Sequence, residues 1–270
     1  MRAIDQILSA AVAAALMAGA PAAAQETPAP IARAGGYAKL VALPDWSGVW
    51  QPDWSNLFGG DGRLPPASPR LTPDAQAKVD AFNRRQQEEG VDQSAQINCL
   101  PPGVPNIMRQ PYPIEFIYSP GRVTIFAETY SQARRIYTDG RALPEDPDPL
   151  FNGNSVGHWE GDTLVVRTNG LHPLTNMLPG LPHTETSTVT ERIWLESPER
   201  LMIETTIADP ASFAESHVTR QAYARHRDWQ IREYVCEENN RLRPDEGGAN
   251  IDLGFDDEDD PFGPPPEGSD

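Results

Sequence analysis

Residues 155–168, Ser-Val-Gly-His-Trp-Glu-Gly-Asp-Thr-Leu-Val-Val-Arg-Thr, constrain this chain more than any other stretch. Two runs of alternating polarity flank Gly161-Asp162, the pattern of a β-hairpin with a two-residue turn. That register sets Glu160 opposite Thr163, Trp159 opposite Leu164, His158 opposite Val165 and Val156 opposite Arg167. Side chains alternate between the two faces of a strand, so Trp159, Leu164 and Val166 share an apolar face that must be buried. His158, Glu160, Thr163 and Arg167 share the other face, which either meets solvent or lines a cavity. The choice between those two decides whether the hairpin carries a site.

Comparable short runs recur at 114–119, 122–128, 133–138, 186–195, 200–208, 217–225 and 229–236, and a further strand begins near Trp46. With the hairpin they make ten. Pro120-Gly121, Gly161-Asp162 and Ser197-Pro198 supply turn chemistry between neighbours. Short spacers imply antiparallel pairing, and no second helical layer exists to cover a parallel sheet. The expected fold is all-β, an antiparallel lipocalin-like β-barrel of about ten strands with one peripheral helix. That helix starts at Thr72, with Pro73 and Asp74 in its first turn, and leaves at Gly90. Its apolar stripe of Ala75, Val79 and Phe82 is narrow, as on a surface helix.

The chain divides into four stretches. Residues 1–24 read as a signal peptide: Arg2, an apolar run over 7–18, then Ala22-Ala23-Ala24 before Gln25. About a dozen apolar residues are too few to span a bilayer, so stable membrane insertion after cleavage is not expected. Residues 25–44 form a flexible lead-in, 45–243 the barrel domain, and 244–270 an acidic, low-complexity tail expected to be disordered. The net charge of −17 is uneven, because that tail holds ten acidic residues and no Lys or Arg. Nothing forms a basic patch, which argues against nucleic-acid partners. The placement expected is periplasmic or secreted. There the isolated pair Cys99 and Cys236 is most simply a disulfide, since no Cys-x-x-Cys spacing points to a metal.

Several segments resemble a widespread family of exported bacterial proteins without an assigned biochemical function. They are Gly157-His-Trp-Glu-Gly-Asp-Thr-Leu-Val-Val166, Tyr137-Thr-Asp-Gly-Arg141, Pro182-His-Thr-Glu185, Val189-Thr-Glu-Arg192 and Glu233-Tyr-Val-Cys236. The resemblance runs from Trp46 to Asn240. Arg167 departs from it, standing where relatives commonly carry Asp. Separately, Gly48-Val-Trp50 is similar to the Gly-x-Trp of lipocalin-like barrels. These likenesses imply export and a barrel, and no reaction.

Candidate chemistry lies in three places. His158 and Glu160 lie two apart on one strand with Arg167 across the hairpin, a grouping that could tune a proton-transfer residue or stand as a surface ion pair. His183 and Glu185 enter a strand from a long loop. Arg141, after Asp139-Gly140, could clamp a carboxylate or simply brace its own turn. The five histidines show no metal-ligand spacing, there is no Gly-x-Ser-x-Gly, and neither a metal nor a cofactor is expected. The leading function is an exported protein that binds a small organic ligand at the barrel mouth, using Arg141, His158, Glu160, Arg167 and His183. Two alternatives stand beside it. One is a metal-independent lyase, isomerase or hydrolase using His158 or His183 with Glu160 or Glu185; the other is an envelope-associated structural protein.

Overall fold

The structure is a computed structural model that describes residues 36–53, 68–90, 95, 98–236, 242–245 and 248–251. The expected signal peptide and most of the acidic tail lie outside the described residues. Nine strands close a barrel in the order β1-β11-β10-β9-β6-β5-β4-β3-β2. They are β1 (Val49–Pro52), β2 (Ile114–Ser119), β3 (Arg122–Ala127), β4 (Gln132–Tyr137), β5 (Asn154–Glu160), β6 (Thr163–Asn169), β9 (Thr188–Ser197), β10 (Arg200–Ala208) and β11 (His217–His226). A small hairpin, β7 (Asn176–Leu178) and β8 (Leu181–Pro182), interrupts the long connection between β6 and β9. A second, β12 (Leu242–Asp245) with β13 (Gly248–Ile251), forms within the C-terminal stretch. The lead-in contains one 3-10 turn, Tyr37–Ala42. Among the described residues no helix is long and apolar enough to cross a membrane.

The barrel differs from the sequence expectation in strand number and in direction, and the two differences have one cause. Residues 229–236 alternate like a strand, but β1 already sits between β11 and β2, so the closed ring offers no edge for a tenth. Directions alternate around an antiparallel ring, which requires an even number of strands. Nine leaves one neighbouring pair parallel, and that pair is β4–β5. The intervening connection, 138–153, is long enough to carry the chain back to the starting end.

The 155–168 hairpin has the anticipated register in every pair, from Asn154↔Asn169 to Glu160↔Thr163. Gly161 takes φ +60° at the first central position of its turn, where a side chain would be strained. Gly157 faces inward, and a Cβ there would lie 2.9 Å from Ile136 Cγ2, so its bareness lets β4 pack closely. Helix α1 (Pro73–Glu89) is capped by Thr72, whose hydroxyl accepts from the Ala75 amide. It buries Ala75 and packs outside the barrel, with Phe82 lying on Gly180 of the β7–β8 turn.

The interior is filled. Leu164, Val166, Ile193, Leu201, Ile203 and Tyr223 occupy its middle. One end is plugged by Trp46, which packs edge-on against Phe116 at 4.8 Å and lies 5.2 Å from Trp159. The other is plugged by Val104, Ile107 and Met108, with the Tyr223 hydroxyl donating to the Met108 carbonyl. Trp46 and Trp50 are therefore core residues and not the wall of a ligand chamber.

A charged pair is buried within this interior. Arg134 on β4 donates to both carboxylate oxygens of Glu191 on β9, through Nη1 at 3.0 Å to Oε1 and through Nη2 to Oε2. Nη2 also reaches Thr168 Oγ1 at 3.1 Å and Ser155 Oγ at 3.3 Å. Arg134 is 2% exposed and Glu191 not at all. The pair sits beside one of the barrel's two thinly paired seams, because β4 and β5 share only the backbone pairs Ile136↔Ser155 and Tyr137↔Val156. Its side-chain bonds tie β4 to β5, β6 and β9 across that gap.

Breaking a buried pair strands a charge, whereas removing both partners does not. Arg134→Met and Glu191→Leu should each lower stability by about 3–5 kcal/mol in urea unfolding. The double variant should recover most of that loss; strictly additive losses would contradict a mutually compensating pair.

The disulfide joins Cys99 to Cys236, 137 residues apart. It tethers residues 228–236, which run outside the ring as an extended strap. Tyr234 of the strap packs against Tyr112 at 5.4 Å and Tyr130 at 5.3 Å, and its carbonyl accepts from Ser131 Oγ. A cross-link closing so long a loop stabilises chiefly through the unfolded chain. The Cys99→Ser/Cys236→Ser variant should lose about 3–5 kcal/mol in the same measurement, while the barrel circular-dichroism signal is retained.

Candidate functional site

The polar face of the hairpin turns outward. His158 Nε2 lies 3.1 Å from Glu160 Oε1, and Arg192 Nη1 donates to Glu160 Oε2 at 2.9 Å. The His158 and Glu160 side chains are 63% and 48% exposed, which makes this a surface cluster worth little to stability. Hydrogen bonds from Arg192 and then His158 hold the Glu160 carboxyl below its usual range. Arg167 is exposed on the same outer surface, opposite Thr190 in register. Of the two readings left open for the face of His158, Glu160 and Arg167, this is the solvent-facing one. Trp159, Leu164 and Val166 took the inner face, and alternation sent these three to solvent.

Arg141 braces its own turn. Its Nε and Nη2 donate to the Asp139 carboxylate at 3.0 and 2.7 Å, and its guanidinium lies 3.7 Å over the Tyr137 ring. These contacts are those of a residue that braces its own turn. The hydrogen bonds from Arg141 in turn hold the Asp139 carboxyl below its ordinary value.

His183 is buried, at 4% exposure, beneath the long loop that precedes β9, while Glu185 two residues on is exposed. Among the described residues no side chain bonds either ring nitrogen of His183, and the Val104 backbone lies close to it. Its neighbours are spent on structure. The buried Asp209 carboxylate accepts from Ser187 Oγ, from Thr184 Oγ1 at 2.7 Å and from the Ala211 amide at 3.0 Å. Burial alone would raise the Asp209 carboxyl, but the Ser187 and Thr184 hydroxyls outweigh it and keep it low. His158 lies outside, near the β5–β6 turn, and His183 lies inside at the opposite end of the barrel. The two histidines therefore do not share a site. Among the described residues no group of three or more His, Cys, Asp or Glu is arranged to hold a metal ion.

A space of that size does open elsewhere. A cleft of about 560 Å³ lies between the strap and the barrel, lined by Pro113 and Glu128 on one side and residues 228–232 on the other. Two backbone-directed bonds build its walls: the Glu128 amide donates to the Pro113 carbonyl at 3.1 Å, and the Arg232 amide donates to Glu128 Oε2 at 2.8 Å. Trp229 stands in it, 44% exposed, with one indole face stacked on His226 at 3.7 Å and 11°. Among the described residues the side chains of Asp228, Gln230 and Arg232 make no hydrogen bond or ion pair. Sequence reasoning missed this site by assigning 229–236 to the sheet. Cys236 was the available signal, since its tether to a segment ahead of β2 draws the run off the barrel wall.

No family model matches the chain, and no curated protein matches it. Among solved structures, one titled "Human cRBP IV" aligns at 14% identity with a TM-score of 0.29, covering 68% of this chain and 99% of that one. At those values the likeness carries no argument; the barrel rests on its own strand pairing, and the resemblance to exported proteins on its motifs alone.

His183 makes folding pH-dependent. Burial lowers its pKa from 6.5 to about 4, while the nearby Val104 backbone and Asp209 carboxylate offset part of the effect. Below pH 6.5 the unfolded chain takes up this proton before the folded protein does, so stability falls on acidification towards pH 4 and is complete above 6.5. The contribution is at most about 3 kcal/mol. Urea unfolding at stepped pH should show wild type losing more than His183→Leu between pH 6.5 and 4, and parallel profiles would refute this assignment.

Proposed function

We propose that this is an exported protein that binds a small organic molecule on the outside of its barrel, in the cleft between the strap and the β2–β3 end. One observation carries the reading. Core side chains pack the interior, whereas the strap cleft combines ligand-sized volume, a half-exposed Trp229 and the side chains of Asp228, Gln230 and Arg232, which among the described residues make no hydrogen bond or ion pair. Export is supported by the leader-like first 24 residues and by the disulfide, which persists in oxidising compartments. In this reading the strap is the binding element and the barrel its rigid mount, a division common where loops carry function. The Cys99–Cys236 bond keeps the strap in place without occupying the cleft.

Native mass spectrometry on protein purified gently from the envelope of its host tests the proposal. The mature chain should begin at Gln25 and carry a stoichiometric organic adduct that Trp229→Ala abolishes. A bare wild-type protein, or an adduct indifferent to Trp229→Ala, would count against it.

A further inference from the structure

We infer that the strap cleft selects a neutral, polyhydroxylated ligand of the saccharide class, stacked on the free face of Trp229; this rests on the binding role proposed above. The donor and acceptor chemistry around the indole decides the class. Glu128 and Asp228 bring carboxylates that only accept, Arg232 brings a guanidinium that only donates, and Gln230 brings an amide that does both. A ligand cation meets Arg232, and a ligand anion meets Glu128 and Asp228, so each is repelled by part of the lining. A sugar hydroxyl is both donor and acceptor, and a ring bearing several can satisfy carboxylate, guanidinium and amide together without a net charge.

The apolar side of the cleft fits the same ligand. His226 covers one face of the Trp229 indole and leaves the other towards the cleft. The face of an indole carries negative quadrupole density, which favours the weakly positive C–H groups presented by one side of a pyranose ring. Pro113 and Ile231 add apolar lining for those groups beside the polar side chains. The backbone bond from Arg232 to Glu128 Oε2 fixes that carboxylate in position and leaves Oε1 for a ligand hydroxyl. Preorganised polar groups of this kind bind at lower entropic cost than freely rotating ones.

A printed glycan array probed with the disulfide-bonded protein, followed by calorimetric titration of the best binder, tests the inference. Choline and benzoate serve as cationic and anionic probes of comparable size. A neutral glycan should bind, Trp229→Ala should weaken it tenfold or more, and Trp229→Phe should retain most of the affinity by keeping an aromatic face. Glu128→Gln should weaken it at least threefold, with the thermal midpoint of each variant confirming that the barrel is intact. Binding of choline or benzoate at Trp229 with no glycan bound would overturn the ligand class and leave the binding role standing. Binding of none of the three would overturn both. A glycan bound equally well by Trp229→Ala would overturn the location.

Discussion

The bond between Arg134 and Glu191 is what the rest of the barrel depends on. A ring of nine strands must contain one parallel pair, and here that pair is held by two backbone register positions. A gap in a β-barrel exposes unpaired backbone groups, and it is costly unless something bridges it. Arg134 bridges it from within, because one guanidinium can donate in several directions at once. It binds Glu191 with a two-pronged contact and reaches Thr168 and Ser155 as well, so four strands are referenced to a single side chain. Desolvating both charges offsets much of the gain. The pair therefore contributes less to total stability than to register, since β4 displaced by one residue would turn Arg134 to the outer face.

The other thinly paired seam is closed by different means. β1 meets β2 through only Val49↔Glu115 and Trp50↔Ile114, and what holds it is its neighbours inside and below. Trp50 is fully buried with the Arg225 guanidinium 4.5 Å over its ring, Arg225 is paired with Asp45, and the Tyr118 hydroxyl donates to the Pro44 carbonyl. These contacts draw the chain ahead of β1 into the end of the barrel and place Trp46 there as a plug. The consequence for function is direct. The proposed binding role therefore turns on what the barrel displays, since the described core residues pack its interior. The strap, anchored by Cys99–Cys236 and the tyrosine cluster of Tyr112, Tyr130 and Tyr234, is the displayed element with a cleft beneath it.

Much of this was legible in the residues. The 155–168 hairpin could be read pair by pair, because a two-residue turn leaves no freedom in register. The cap at Thr72 and the disulfide likewise followed from local chemistry. The buried ion pair was legible in principle: Arg134 is in phase with Ile136, and Glu191 with Val189 and Ile193, so each charge falls on the inward parity of its strand. What alternation could not convey is whether the polar face of His158, Glu160 and Arg167, opposite the buried apolar one, meets solvent or a second enclosed space. That depends on Trp159, Leu164 and Val166 finding Trp46 and the core, a long-range event. Residues 229–236 failed for a related reason. They satisfy the local pattern of a strand, yet strand formation needs a free edge, and ring closure by β1 removed it.

Native-state hydrogen exchange on wild type and Glu191→Gln is the most direct measurement of whether one buried bond closes the ring. If it does, the amides of β4 and β5 in wild type exchange only with global unfolding, as do those of β9, β10 and β11. In Glu191→Gln, protection should drop selectively in β4 and β5 while β10 and β11 keep theirs relative to the new global stability. A uniform loss across all nine strands, or protection in β4 and β5 that follows the global value in both proteins, would contradict that role for Arg134 and Glu191.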